Sequence, residues 1–200
     1  MAQNITENSK IKAEYSVTDE FRRGGDSFEL PPHQAYIAEQ TDHKIHAGNL
    51  TYNLWSRDYS KKLNIYTALR DTKRDSYYGS NMDPNAYGST HDLVLVGGGQ
   101  YVHKFTKLWF MPAEFTGGLE YNYNYLNDVT VGYDHDVTQK INIYSAFLQN
   151  EWRTDKWGFL IGARVDKHSL IDHAIISPTP PMPEMQILPG FFDFKTFTAL

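Results

Sequence analysis

The chain has 200 residues, 40% apolar and 22% charged, with a formal net charge of −5 at pH 7. This charge offers no basic surface for nucleic acid, and the absence of cysteine excludes disulfides and thiolate metal sites. No apolar run reaches the roughly 18 residues of a transmembrane helix, and the first residues do not resemble a signal peptide, so any export signal is expected to lie outside this chain.

Alternation of apolar and polar residues predicts about seven β-strands and no helix. The first, over residues 10–17, alternates weakly. Residues 21–42 are predicted to form one long connection, because they are charged and contain paired glycines and paired prolines. Six clearer strands follow, over residues 44–56, 62–78, 92–105, 113–127, 138–153 and 157–171.

The stretch over residues 113–126 alternates most clearly. Phe115, Leu119 and Tyr123 fall on one face, whereas Glu120 and Asn122 fall on the other. A strand from Phe115 to residue 125 is about 33 Å long, and at a tilt of about 40° it spans about 25 Å along a membrane normal. This height equals that of the apolar band of an outer-membrane barrel, so the pattern favours an antiparallel, up-and-down transmembrane β-barrel segment.

The same alternation assigns the side chains of the other strands to two faces. One face is predicted to meet lipid and carries Leu50, Tyr52, Leu54, Leu93, Leu95, Phe115, Leu119, Tyr121, Tyr123, Tyr144, Leu148, Phe159 and Ile161. The opposite face is predicted to line the lumen and carries Asn49, Thr51, Asn53, Glu120, Asn122, Asn124, Gln149, Glu151, Arg164, Asp166 and His168.

Connection lengths and aromatic residues support this interpretation. Short turns are predicted after Ser56, Phe105 and Arg153, and longer loops after the first strand, Tyr78 and Asn127. Trp and Tyr favour membrane interfaces, and the tryptophans cluster at the short turns. We therefore predict two interface girdles, formed by Trp55, Trp109, Trp152 and Trp157 at one end and by Tyr77, Tyr78 and Tyr125 at the other.

Candidates for catalysis or metal binding are few. Asp166 and His168 share a strand face, but a polar lumen wall explains them better than a metal site. Gly97, Gly98 and Gly99 lack the Lys-Ser/Thr and helix of a phosphate loop, and are expected to admit either another backbone or a neighbouring aromatic side chain. We predict no metal, no cofactor and no enzymatic activity.

Four segments resemble TonB-dependent outer-membrane receptors, most closely the Bacteroidetes type: FRRGGDSFELPPHQAYIAEQTDHKI, DSYYG, FMPAEFTGGLEYNYN, and YSAFLQNEWR through GFLIGARVDKHSLI. The resemblance covers about residues 10–178. It implies a barrel of about 22 strands around a plug. It also implies active import of a scarce nutrient (a ferric siderophore, haem, cobalamin or a glycan) across the outer membrane, with energy from the TonB complex.

The resemblance also implies a division of the chain. Residues 1–177 would be part of the barrel, without the plug, the TonB-contacting region or the remaining strands. Residues 178–200 depart from the family pattern, and four prolines between Pro178 and Pro183 suggest a truncated or frameshifted gene. Such a fragment would not transport alone. The alternatives are a plug-less porin or adhesin-like barrel, and a soluble β-sheet binding domain.

Overall fold

The computed structural model describes residues 2–176 and 191–199, and the strands in these ranges form one antiparallel sheet. Its order is β1 to β9, so each strand pairs with its neighbours in sequence. The strands are β1 Ala2–Thr6, β2 Ser9–Gly25, β3 Ile37–Trp55, β4 Lys61–Ser80, β5 Tyr87–Leu108, β6 Met111–Thr130, β7 His135–Arg153, β8 Gly158–Ile176 and β9 Phe191–Ala199. The prediction of an all-β, up-and-down sheet is confirmed.

Short 3-10 helices occur at Pro32–Gln34 and Val131–Tyr133. Within the described residues, no helix has both the length and the apolar character needed to cross a membrane. The seven predicted strands correspond to β2–β8, whereas β1 and β9 were not predicted. β9 lies in the segment expected to depart from the family, and the proline cluster before it lies outside the described residues.

The strands are longer than predicted, and the loops are correspondingly shorter. The prediction of one connection over residues 21–42 is wrong, because β2 continues to Gly25 and β3 begins at Ile37. The connections predicted after Tyr78 and Asn127 shrink to residues 81–86 and 131–134. Charged residues argued against a buried strand, but a strand that extends into water can carry them while its backbone stays paired.

Cross-strand register sorts the side chains, since residues opposite one another in an antiparallel pair share a face. Leu95 lies opposite Leu69 on β4 and Tyr123 on β6, and we call their side of the sheet the apolar face. Glu120 lies opposite Gly98 on β5 and Ser145 on β7, and we call theirs the polar face. Because the pairing is continuous from β2 to β8, each face is continuous across these strands.

The most deeply buried cluster lies at the end of the sheet that carries the connections 26–36 and 81–86. Tyr77 is completely buried there, and Ala35, Ala38 and Ala86 are each 1% exposed. The Tyr77 hydroxyl donates a hydrogen bond to the Asp83 carbonyl at 2.9 Å. Tyr77 lies on the apolar face, so both connections fold back over this face and are anchored by one aromatic ring.

The connection between β3 and β4 is closed by a carboxylate. Asp58 Oδ1 accepts hydrogen bonds from the Ser56 hydroxyl at 2.5 Å and the Ser60 backbone N–H at 3.2 Å. Ser56 Oγ in turn accepts from the Lys61 N–H at 2.9 Å. The hydrogen bonds from Ser56 and then Ser60 lower the pKa of Asp58 to about 2.

We expect the Asp58 carboxylate to titrate near pH 2, well below the value of about 3.9 for an unfolded chain. Because the folded pKa is lowered, its contribution to stability is present above pH 4 and is lost as the pH falls through about 2. An NMR titration of the Asp58 carboxyl carbon measures this, and Ser56→Ala should move the midpoint upward. A midpoint near 4 in the native chain would contradict the hydrogen-bonded turn.

Tyr77→Ala should release both connections, because it removes the ring that Ala35, Ala38 and Ala86 enclose. Aromatic-to-alanine changes in a core cost about 3–5 kcal/mol, and here we expect rapid proteolysis within residues 26–36. The adjacent Tyr78→Ala is the matched control, since the Tyr78 side chain is 43% exposed. Equal protease sensitivity of both variants would show that Tyr77 does not hold these connections.

Candidate functional site

A hydrogen-bonded network occupies the middle of the polar face. The Tyr66 hydroxyl donates to Glu120 Oε2 at 2.5 Å. Arg164 Nε lies 2.9 Å from Asp166 Oδ1, and its Nη2 donates to the Ser145 hydroxyl at 2.8 Å. The same Nη2 lies 3.5 Å from Glu120 Oε1. The network therefore links β4, β6, β7 and β8 through side chains alone.

Gly98 makes this network possible. Tyr66 and Glu120 are not on adjacent strands; both lie opposite Gly98 on the intervening β5. A methyl group at Gly98 would lie 2.6 Å from the Tyr66 hydroxyl oxygen and 2.9 Å from the Leu119 carbonyl oxygen. The missing side chain lets the tyrosine cross over β5, so the expectation that a glycine here admits an aromatic neighbour is confirmed.

A second polar cluster lies on the same face towards the connections 81–86 and 131–134. Asp128 Oδ1 accepts a hydrogen bond from the Thr90 hydroxyl and lies 3.5 Å from Arg74 Nη2. Asp128 Oδ2 lies 3.2 Å from His135 Nε2. Arg74 also donates to Thr90 at 2.7 Å. These contacts join β4, β5, β6 and β7. Thr90, Asp128 and His135 lie in stretches that were predicted to form the loops after Tyr78 and Asn127.

The register places all residues predicted to face the lumen on the polar face. They are Asn49, Thr51, Asn53, Glu120, Asn122, Asn124, Gln149, Glu151, Arg164, Asp166 and His168. Tyr66, Ser145, Arg74 and Asp128 complete the two clusters and were not singled out. Alternation could assign these four residues to a face, but it does not indicate which residues of other strands their side chains contact.

The register likewise places all residues predicted to face lipid on the apolar face. They are Leu50, Tyr52, Leu54, Leu93, Leu95, Phe115, Leu119, Tyr121, Tyr123, Tyr144, Leu148, Phe159 and Ile161. Several are openly exposed, including Leu119 at 68% and Leu148 at 56%. The apolar face therefore presents large apolar side chains outward in the middle of long strands.

An aromatic cluster marks the end of the apolar face that carries the connections 109–110 and 154–157. Trp152 stacks with Trp109 and Phe110 and packs at a tilt against Phe159, with ring centroids 5.6–5.8 Å apart. Its indole N–H donates to the Leu108 carbonyl at 3.1 Å. Trp109 is 78% exposed and Trp157 is 76% exposed. Three predicted girdle tryptophans thus lie together at this end of the sheet.

Three predicted girdle residues are not exposed on the apolar face, where an interface girdle would lie. The Tyr77 side chain is buried beneath two connections. Trp55, opposite Lys62, and Tyr78, opposite Glu39, lie on the polar face. Tyr125 does lie on the apolar face, where its ring meets His91 edge-on and lies 5.7 Å from the Lys140 ammonium. The girdle is thus better formed at the Trp152 end than at the Tyr77 end.

Asp166, one of the two candidate metal ligands on this strand face, is already engaged by an arginine. Both Asp166 oxygens accept from Arg164 Nε, at 2.9 and 3.1 Å. Within residues 2–176 and 191–199, no cluster of three His, Cys, Asp or Glu side chains is arranged to hold a metal ion.

Gly98→Ala should break the Tyr66–Glu120 hydrogen bond, because the new methyl group collides with the tyrosine. Overpacking of this kind costs about 1–3 kcal/mol. Gly97→Ala is the matched control, because a methyl group there would meet no atom closer than 3.8 Å. We would measure urea unfolding of the chain folded in detergent micelles. Equal destabilisation by both substitutions would contradict the role given to Gly98.

Comparison with known proteins is consistent with this geometry. The family model described as "TonB dependent receptor-like, beta-barrel" matches residues 5–178. Neither the curated proteins nor the solved structures yielded a match. The matched range includes β2–β8 and both polar clusters, and the family is one of outer-membrane transport receptors. The chain belongs to the TonB-dependent receptor-like β-barrel family, as its sequence resemblance predicted.

Proposed function

We propose that this chain forms part of the barrel wall of an outer-membrane receptor, with its apolar face against lipid and its polar face towards the lumen. The observation that carries the proposal is the distribution of exposed apolar side chains between the two faces. Family membership supports a role in transport. The orientation rests on the side chains themselves.

Among the described side chains of β2–β8, which end at residue 173, the exposed large apolar residues are divided fifteen to three between the faces. The three on the polar face are Ile37, Tyr78 and Leu160. The fifteen on the apolar face are Tyr15, Val17, Phe21, Leu50, Leu54, Ile65, Leu69, Tyr87, Tyr101, Leu119, Tyr144, Leu148, Phe159, Ile161 and Ile171. A continuous apolar surface of this kind favours contact with lipid over contact with water, and argues against a soluble β-sheet domain.

The polar face suits an aqueous lumen that encloses a plug and a passing solute. Glu120, Arg164 and Asp166 are charged and only partly buried, which lipid would not tolerate. We infer that the whole receptor imports a scarce nutrient, such as a ferric siderophore, haem, cobalamin or a glycan, with energy from the TonB complex. In this arrangement the plug and the TonB-contacting region are contributed by other parts of the receptor.

The lipid-facing assignment can be tested with two neighbouring residues of β7. Leu148→Arg places a cation on the apolar face, where burial in lipid costs about 2–4 kcal/mol near the bilayer midplane. Gln149→Arg places the same cation on the polar face one residue away. We expect Leu148→Arg to reduce heat-resistant folded protein in outer-membrane fractions strongly, and Gln149→Arg to have little effect. Equal losses, or the reverse order, would refute the proposed orientation.

A further inference from the structure

Two lysines face each other on the apolar face, beyond the end of its apolar band. Lys44 on β3 lies directly opposite Lys73 on β4, and both side chains are exposed. The last apolar row on these strands is Gly48 opposite Leu69. Like charges directly opposite one another are unfavourable in an antiparallel pair, so this placement needs an explanation.

Neither lysine of the pair forms an ion pair with a described carboxylate. Among the described residues, no carboxylate oxygen lies within 4.0 Å of the Lys44 or Lys73 ammonium group. Asp71, in the row between Leu69 and Lys73, is engaged by His91 at 2.6 Å. Asp19 lies opposite Lys44 in the register without forming an ion pair. The two ammonium groups therefore remain available to an anion from outside the chain.

Charge on this face is layered along the strands. Lys140, opposite Tyr125 on β6, lies close to the apolar band, as Lys44 and Lys73 do. The next row beyond the lysine pair carries Asp42 opposite Asp75. On β3 and β4 the lysine pair therefore lies nearer the apolar band than Asp42 and Asp75 do, and the one carboxylate nearer still, Asp71, is held by His91. This order matches the bilayer surface, where lipid phosphates lie next to the hydrocarbon and sugars or water lie outside.

The distance of the lysine pair from the apolar band also suits contact with lipid headgroups. Lys73 lies four residues beyond Leu69, about 13 Å along the strand and about 10 Å along the membrane normal at a tilt of about 40°. The headgroup layer on each side of a bilayer is about 5–8 Å deep. A lysine side chain can bend back towards the hydrocarbon boundary along its own apolar stem, which brings its ammonium group to the phosphates.

We propose that Lys44 and Lys73 bind the phosphorylated headgroup of a lipid in the membrane leaflet next to the connections 26–36 and 81–86. This inference rests on the proposed lipid-facing assignment of the apolar face. Lipid phosphate relieves the repulsion between the two ammonium groups, and the Leu69 row below receives the acyl chains. The site is thus a docking surface for an anionic lipid.

The test uses the chain folded in zwitterionic detergent micelles and titrated with lipid A, the probe for a phosphorylated lipid. Bound lipid is counted by native mass spectrometry, and thermal unfolding is followed in parallel. Lys44→Gln/Lys73→Gln should weaken lipid A binding on the order of thirty-fold, as expected for two lysines near an anionic surface. It should also abolish the rise in unfolding temperature that lipid A gives the native chain.

The matched control is Lys10→Gln/Lys12→Gln, which removes the same charge from the polar face. This variant should bind lipid A like the native chain, and Lys44→Arg/Lys73→Arg should retain binding. Inorganic phosphate should not displace the lipid, because it lacks acyl chains to contact the apolar face.

Equal binding by both glutamine variants would overturn the proposal, as would full displacement of lipid A by inorganic phosphate. If the native chain folds in zwitterionic micelles but does not bind lipid A, the lipid site is wrong and the lipid-facing assignment stands. If the chain folds in water and associates with neither micelles nor vesicles, the proposed function itself fails.

Discussion

The structure depends above all on uninterrupted backbone pairing between neighbouring strands. β3 and β4 pair without a break from Ile37 opposite Ser80 to Trp55 opposite Lys62. Register irregularities among the described strands occur only beside the connections 7–8 and 109–110. In hydrocarbon, a backbone group that lacks a partner cannot turn to water and costs several kcal/mol. In the proposed orientation, long continuous ladders are therefore what would allow such polar strands to adjoin lipid.

The same pairing fixes the chemistry of the two faces. A slip of one residue on β6 would exchange Leu119 with Glu120 and place a carboxylate on the apolar face. The polar network opposes such a slip, because Tyr66 reaches Glu120 only if Gly98 lies between them. Register, side-chain network and the proposed membrane orientation are thus mutually consistent. Glycine has a defined place in this scheme as the residue over which an aromatic ring crosses a strand.

The two ends of the sheet are built differently. At the Trp152 end, aromatic rings stack along the apolar face and remain partly open, as expected at a membrane interface. At the Tyr77 end, the connections fold back over the apolar face and enclose a small core. Between that core and the apolar band lie the charged strand extensions, where the row of Lys44 and Lys73 is followed by the row of Asp42 and Asp75. This region carries most of the charge that argued against continuous strands.

The sequence alone was sufficient for the strand class, the approximate strand positions and the face of each alternating residue. The two-residue period of a β-strand places the adjacent residues Leu119 and Glu120 on opposite faces. This period is local, so it can be read without knowledge of the neighbouring strands. It also allowed the family to be recognised. The same period places Trp55 on the polar face, because it follows Leu54 of the apolar face. The girdle prediction for Trp55 relied on the preference of tryptophan for membrane interfaces and did not apply this alternation.

Only the tertiary structure decided strand length, the burial of Tyr77 and the partners of Tyr66, Asp128 and Lys44. Each depends on which residue of another strand lies opposite, or on where a connection folds back. Charge composition could not locate the strand ends, because a paired backbone tolerates charged side chains once the strand has left the apolar layer. Alternation assigns a side chain to a face, but cross-strand register, set by residues far apart in sequence, determines what that side chain meets.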